Sequence, residues 1–176
     1  MKAAELDGSR LDAVVLVDIA GRVDPGVGPA IASATRRIDE VHASVEAYLD
    51  AMKTHGLADP WNEYWDRVYR YQLTEASDGV RSLADPGAVA EDRAYTLTQD
   101  PYARWRHLTM PTLLVRATRE VRPGAGHVVP ADDKDRFLRE VPHSAAVEVD
   151  ANHLTINTHP DTATAIGDFL ADVLEQ

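Results

Sequence analysis

Hydrophobic positions in this chain follow two patterns. In three places they form short unbroken runs: Ala13-Val14-Val15-Leu16-Val17, Thr112-Leu113-Leu114-Val115-Arg116 and Ala145-Ala146-Val147-Glu148-Val149. Runs this short, rich in β-branched residues and separated by helical sequence, predict central strands of a parallel sheet covered on both faces. Elsewhere the apolar residues recur at helical spacing. Ile38, Val41, Val45, Tyr48, Leu49 and Met52 form one such face, stopping near Gly56. Trp61, Tyr64, Trp65, Val68 and Tyr69 form a second, Phe137, Leu138 and Val141 a shorter third, and Ile166, Phe169, Leu170, Val173 and Leu174 a last. Asp-Pro occurs at 24–25, 59–60, 85–86 and 100–101. Asp there suits the N-cap, where a carboxylate accepts orphan backbone N–H groups, and Pro suits the first helical position, which needs no donor.

The predicted order is strand (13–17), a helical block (about 29–107), strand (112–116), helix (132–140), strand (145–149) and helix (162–175). This is an α/β fold: a partial parallel sheet of about three strands with flanking helices and an inserted helical cap. Residues 1–24 begin the core, 25–107 form the cap or lid, and 108–176 supply a C-terminal βαβα part of the core. Gly-Arg-Val-Asp-Pro-Gly-Val-Gly-Pro (21–29) is the hinge into the insertion and Asp100–Met110 the return.

Composition narrows the partners. The 176 residues carry 18 Lys and Arg against 29 Asp and Glu, a net charge of −11. With no basic stripe, that charge argues against nucleic acid or an anionic membrane as the main partner. The longest purely apolar run, Ala13–Val17, is far too short to span a bilayer. No secretory signal follows Met1, and there is no Cys, so the expectation is a cytoplasmic protein without disulfides or a thiol nucleophile. No glycine pattern makes a dinucleotide fingerprint and the seven His show no metal-ligand spacing, so neither cofactor nor metal is expected.

Open α/β sheets place their chemistry just past the carboxyl ends of strands. Asp18 follows the first strand directly, Glu120 lies four residues past Arg116, and His153 lies four past Val149. Two acids and a histidine share one rim, and a carboxylate beside a His fixes the imidazole tautomer and supports its protonated form. His127 reads as a loop residue. The Trp61, Tyr64, Trp65 and Tyr69 stripe reads first as packing; in a lid, Trp61 and Trp65 would also line a pocket for a partly apolar substrate.

Together these pieces resemble the C-terminal half of the α/β-hydrolase family. Leu11–Asp18 is similar to the strand that leads into the cap, and Leu108–Ala117 to the next strand with its preceding Pro111. Val147-Glu148-Val149-Asp150-Ala151-Asn152-His153 is similar to the last strand with the catalytic His. The resemblance implies His153 as general base and Glu120 as its acid, in the family's order of acid before His. The loop Arg116-Ala117-Thr118-Arg119-Glu120 departs from the family, which more often has a Gly and an Asp there, so the acid stays open between Glu120 and Asp18.

The family's nucleophile stands on a Gly-x-Ser-x-Gly turn, and none of Ser9, Ser33, Ser44, Ser77, Ser82 or Ser144 lies in one. The resemblance therefore implies a missing N-terminal half and a chain inactive alone. Three readings follow: a hydrolase of an ester, lactone or related carbonyl substrate completed by sequence beyond this chain; a non-catalytic ligand-binding module, or one that completes its sheet with a partner or a second copy; and an enzyme using Asp18 and His153 alone.

Overall fold

The computed structural model describes residues 1–175; the side chains of Ala34 and Arg36 are not described, and Gln176, the end of the expected C-terminal segment, lies outside the described residues. The chain divides into two compact units, one formed by 1–27 with 100–176 and the other by 28–99. Segments 25–27 and 100–107, expected in the insertion, thus belong to the sheet-bearing unit. Burial explains why: Val27 is fully buried, and the Trp105 indole N–H donates to the Ala20 carbonyl at 2.9 Å while its ring packs edge-on against Phe137.

The first unit holds a parallel sheet of β1 (Val14–Val17), β4 (Thr112–Ala117) and β5 (Ser144–Val149) in the order β1-β4-β5. Register pairs Val17 with Val115 on one side of β4 and Ala117 with Val149 on the other. Every residue of β4 is buried. Its even positions and odd positions enter different cores, as a period-two strand requires. Leu114 joins Leu16, Trp105, Leu108 and Phe137 against helices α1 (Lys2–Asp7) and α6 (Ala131–Glu140). Leu113, Val115 and Ala117 join Val149 and Ile156, with Ile166 and Phe169 of α7 (Pro160–Leu174) packed on them. Only β4 meets the expectation of a strand covered on both faces. Most of β5 is half-buried or exposed, because it closes one side of the sheet, and β1 has no second strand partner among the described residues.

The second unit contains α2 (Val27–Thr35, its first residue shared with the other unit), α3 (Val45–His55), α4 (Glu63–Tyr71) and α5 (Pro86–Leu97), plus a β-hairpin of β2 (Leu73–Ala76) and β3 (Gly79–Ser82). The hairpin was absent from the sequence expectation of an all-helical block. It is anchored by a bridge in which His42 and Val80 exchange two backbone hydrogen bonds of 2.8 Å. Gly79 sits at φ +147°, and a Cβ there would run into the His42 carbonyl. Helix α3 starts later than its apolar face suggested: Ser44 caps it by accepting from the Ala47 amide, Ile38 lies in a 3-10 turn and Val41 is exposed. Gly56, at φ +69°, ends it as expected. Of the four Asp-Pro pairs, Asp85 is the N-cap of α5. The helix after Pro60 is capped instead by Asn62, which accepts from the Trp65 amide, and Asp100 accepts from the Tyr102 amide in a turn.

Phe137 is fully buried, whereas its neighbour Leu138 is 40% exposed. Urea denaturation is expected to show Phe137→Ala losing about 3–5 kcal/mol of stability. Leu138→Ala is expected to lose under about 1 kcal/mol.

Candidate active site

The candidate site is built at the carboxyl ends of the three parallel strands. Asp18 takes the first position past β1 at φ +48°, a left-handed conformation that Asp tolerates better than most residues. Its amide donates to the Val115 carbonyl at 2.7 Å, so the turn stays tied to β4. The side chain is almost wholly buried. Oδ1 accepts the Ala117 amide at 2.9 Å, and Oδ2 lies 3.0 Å from His153 Nδ1.

The loop carrying His153 is held equally firmly. Val149 O accepts the Thr118 amide at 3.0 Å, and Ala151 O accepts the Arg119 amide at 3.0 Å, stitching the ends of β4 and β5 together. Asn152, buried, folds its Oδ1 back to accept from the amides of Leu154 and Thr155 and from the Thr155 hydroxyl. Thr155 Oγ1 in turn accepts the Asn152 amide at 3.1 Å. This is the local side-chain-to-backbone pairing that turns a chain sharply and opens a helical turn. Sequence reasoning named the Asn-His pair but gave Asn152 and Thr155 no role; the Asn-x-x-Thr spacing was the available signal.

Asp18 and His153 differ in exposure: their side chains are 2% and 44% accessible. An ionised carboxylate only accepts hydrogen bonds, so the Nδ1–H of His153 donates to Oδ2. The lone pair is then on Nε2. The arrangement can take a proton from a neighbouring group and hold the resulting imidazolium against a buried counter-charge.

Glu120, the acid put first by the family resemblance, is not the one the structure pairs with His153. Its Oε2 accepts the Gly124 amide at 2.8 Å and its Oε1 the Gly126 amide at 3.2 Å, closing its own loop. His127 is tied within the same loop region: its amide donates to Asp24 Oδ2 at 2.7 Å, and its Nε2 lies 3.1 Å from the Thr118 carbonyl.

Trp61 and Trp65 lie in the aromatic core of the second unit. Trp65 is 5% exposed, and Trp61 stacks on Tyr69 with centroids 5.3 Å apart. Both rings pack against Tyr69. Among the described residues no cluster of three acidic or histidine side chains is arranged for a metal ion. No helix among them is long and apolar enough to cross a membrane.

The tautomer gives a direct test on this chain. In Asp18→Asn, an amide whose oxygen accepts from Ala117 turns its NH2 toward His153, so the imidazole proton should move from Nδ1 to Nε2. Long-range 1H–15N correlation spectra are expected to show that switch in Asp18→Asn and not in Glu120→Gln. An unchanged tautomer in Asp18→Asn would contradict the assigned hydrogen bond.

No family model matches the chain, and no curated protein matches it in sequence. Solved structures do match. An E-2-(acetamidomethylene)succinate hydrolase superposes with a TM-score of 0.75 at 22% identity, covering 96% of this chain and 61% of that one. A peroxisomal α/β-hydrolase from Saccharomyces cerevisiae gives 0.65 at 10% identity, covering 97% and 49%. An enol-lactonase from Burkholderia xenovorans LB400 gives 0.58 at 16%, covering 98% and 60%. The chain therefore has the α/β-hydrolase fold, and it spans less than two thirds of the length of the solved structures it is similar to.

Proposed function

We propose that this chain supplies the acid and the base of a nucleophile-His-acid triad that hydrolyses an ester, lactone or related carbonyl substrate, and that the nucleophile comes from sequence outside it. The observation that carries the reading is the 3.0 Å pairing of Asp18 Oδ2 with His153 Nδ1 at the strand ends. His153 Nε2 takes the proton of the attacking hydroxyl, the imidazolium is stabilised by Asp18, and the proton then passes to the leaving oxygen. Asp18, rather than Glu120, is the orienting acid. The names of the similar structures, a succinate-derivative hydrolase and an enol-lactonase, support a carbonyl substrate.

A second reading draws on the sheet. β1 is an apolar strand paired on one side only among the described residues. Such an edge invites a further strand, which favours a module that completes its sheet with a partner or a second copy. A well-folded, soluble monomer in size-exclusion chromatography would count against that module.

Expression of this chain together with the coding sequence upstream of Met1, followed by treatment with an active-site phosphonate, tests the triad. A covalent adduct on an upstream residue is expected, along with ester hydrolysis. In that protein, His153→Ala and Asp18→Asn should each lower kcat by at least about 10³-fold. Glu120→Gln should stay within about threefold of the parent. No adduct and no hydrolysis would overturn the proposal.

A further inference from the structure

The second unit contains a cavity of about 220 Å³ that the aromatic packing does not fill. Ile38, Met52 and Leu57 give it an apolar wall, and Tyr48, Tyr69 and Arg37 bring polar groups to the same space. Tyr48 is 6% exposed, and its ring meets that of Tyr69 at 6.2 Å and 63°. Neither phenol hydroxyl has a hydrogen-bond partner among the described residues. Burial pushes both phenols up from their ordinary value, Tyr48 with a further push from Tyr69, so both stay protonated donors at neutral pH. Arg37 is half-buried and has no ion-pair partner among the described residues.

Those features call for a particular ligand. A guanidinium drawn part-way out of water loses hydration, and an anion restores it best through the planar fork that Arg presents to a carboxylate. On a chain of net charge −11, a general affinity for anions is not expected. Arg37 thus acts only at short range and only on an anion whose body the wall accepts. The volume is below the usual range of about 300–1,000 Å³ for drug-sized ligands, and suits one ring or a short branched chain. We propose that this cavity binds a small organic carboxylate with a compact apolar body, Arg37 and the Tyr48 and Tyr69 hydroxyls holding the carboxylate and Ile38, Met52 and Leu57 flanking the body. The site lies within one unit of the chain and does not depend on the triad.

Benzoate is the probe. Trp61, stacked on Tyr69, should report its binding by tryptophan fluorescence, with calorimetry on the same chain as the second measurement. Saturable binding of benzoate is expected, with benzyl alcohol (no charge) and acetate (no body) each at least about tenfold weaker. Arg37→Gln should weaken benzoate by about tenfold or more, the loss expected for a charge-assisted hydrogen bond, with Arg37→Lys restoring part of it. Circular dichroism checks that each variant folds. If Arg37→Gln is misfolded, Tyr69→Phe, which removes only the hydroxyl, should still weaken benzoate measurably. Absence of saturable benzoate binding, equal binding of benzyl alcohol, or unchanged affinity in folded Arg37→Gln would overturn the proposal.

Discussion

The buried carboxylate of Asp18 is the constraint around which the sheet-bearing unit is arranged. A charge this deep is tolerated only when its lone pairs are answered, and here the answers come from two different strands' ends. Oδ1 takes the last amide of β4, and Oδ2 takes the imidazole that follows β5. One side chain therefore measures the distance across all three strands. Its position depends on β1 ending at Val17 in register with Val115, and on the left-handed turn that keeps the Asp18 amide on the Val115 carbonyl. A one-residue slip of β1 would turn Asp18 to the other face and leave His153 without its acceptor.

Much of the sheet was legible because its strands are continuous apolar runs, and such runs fit nothing on the surface. The three runs become the three parallel strands almost residue for residue. What the runs do not report is position within the sheet. Ala145-Ala146-Val147-Glu148-Val149 has the composition of a covered strand, yet Val147 and Glu148 are exposed, since among the described residues only β4 pairs with β5. The hairpin was illegible for the opposite reason. Leu73-Thr74-Glu75-Ala76 and Gly79-Val80-Arg81-Ser82 are short and barely apolar, and their stability comes from His42, more than thirty residues away. The two loop residues are Ser77 and Asp78, with Gly79 already paired to Ala76, so no Asn-Gly or Asp-Gly pair fills the loop itself. Asp-Pro was ambiguous because an Asn two residues later competes for the same backbone donors, and at the α4 terminus Asn62 has them.

The location of the candidate site was legible, and its wiring was not. Strand ends placed Asp18, Glu120 and His153 on one rim, but sequence distance says nothing about which carboxylate is already occupied. Glu120 is followed by Val-Arg-Pro-Gly-Ala-Gly, a segment whose two glycine amides converge on its carboxylate. A glutamate in such a loop meets its hydrogen-bonding needs locally and has little to gain from an imidazole elsewhere. Asp18, with one methylene fewer and a start at the strand end itself, has no local turn to close. Its remaining oxygen is available to the ring that arrives from β5.

The division of burial between Asp18 and His153 also limits what this pair does without a third group. A buried acid and a half-exposed imidazole make a base whose ring is supported from beneath by a carboxylate. In the proposed triad, that suits a nucleophile presented from outside the loop that holds the ring. Ser44 caps α3, Ser82 accepts the Ala84 amide, and Ser144 donates to the Val141 carbonyl, each in service of local structure. Hydrogen bonds through Asn152, Thr155 and Thr118 hold the loop within the unit. They hold the loop that carries the imidazole. Orientation, the part of catalysis that depends on rigid surroundings, is what these hydrogen bonds would give the proposed triad.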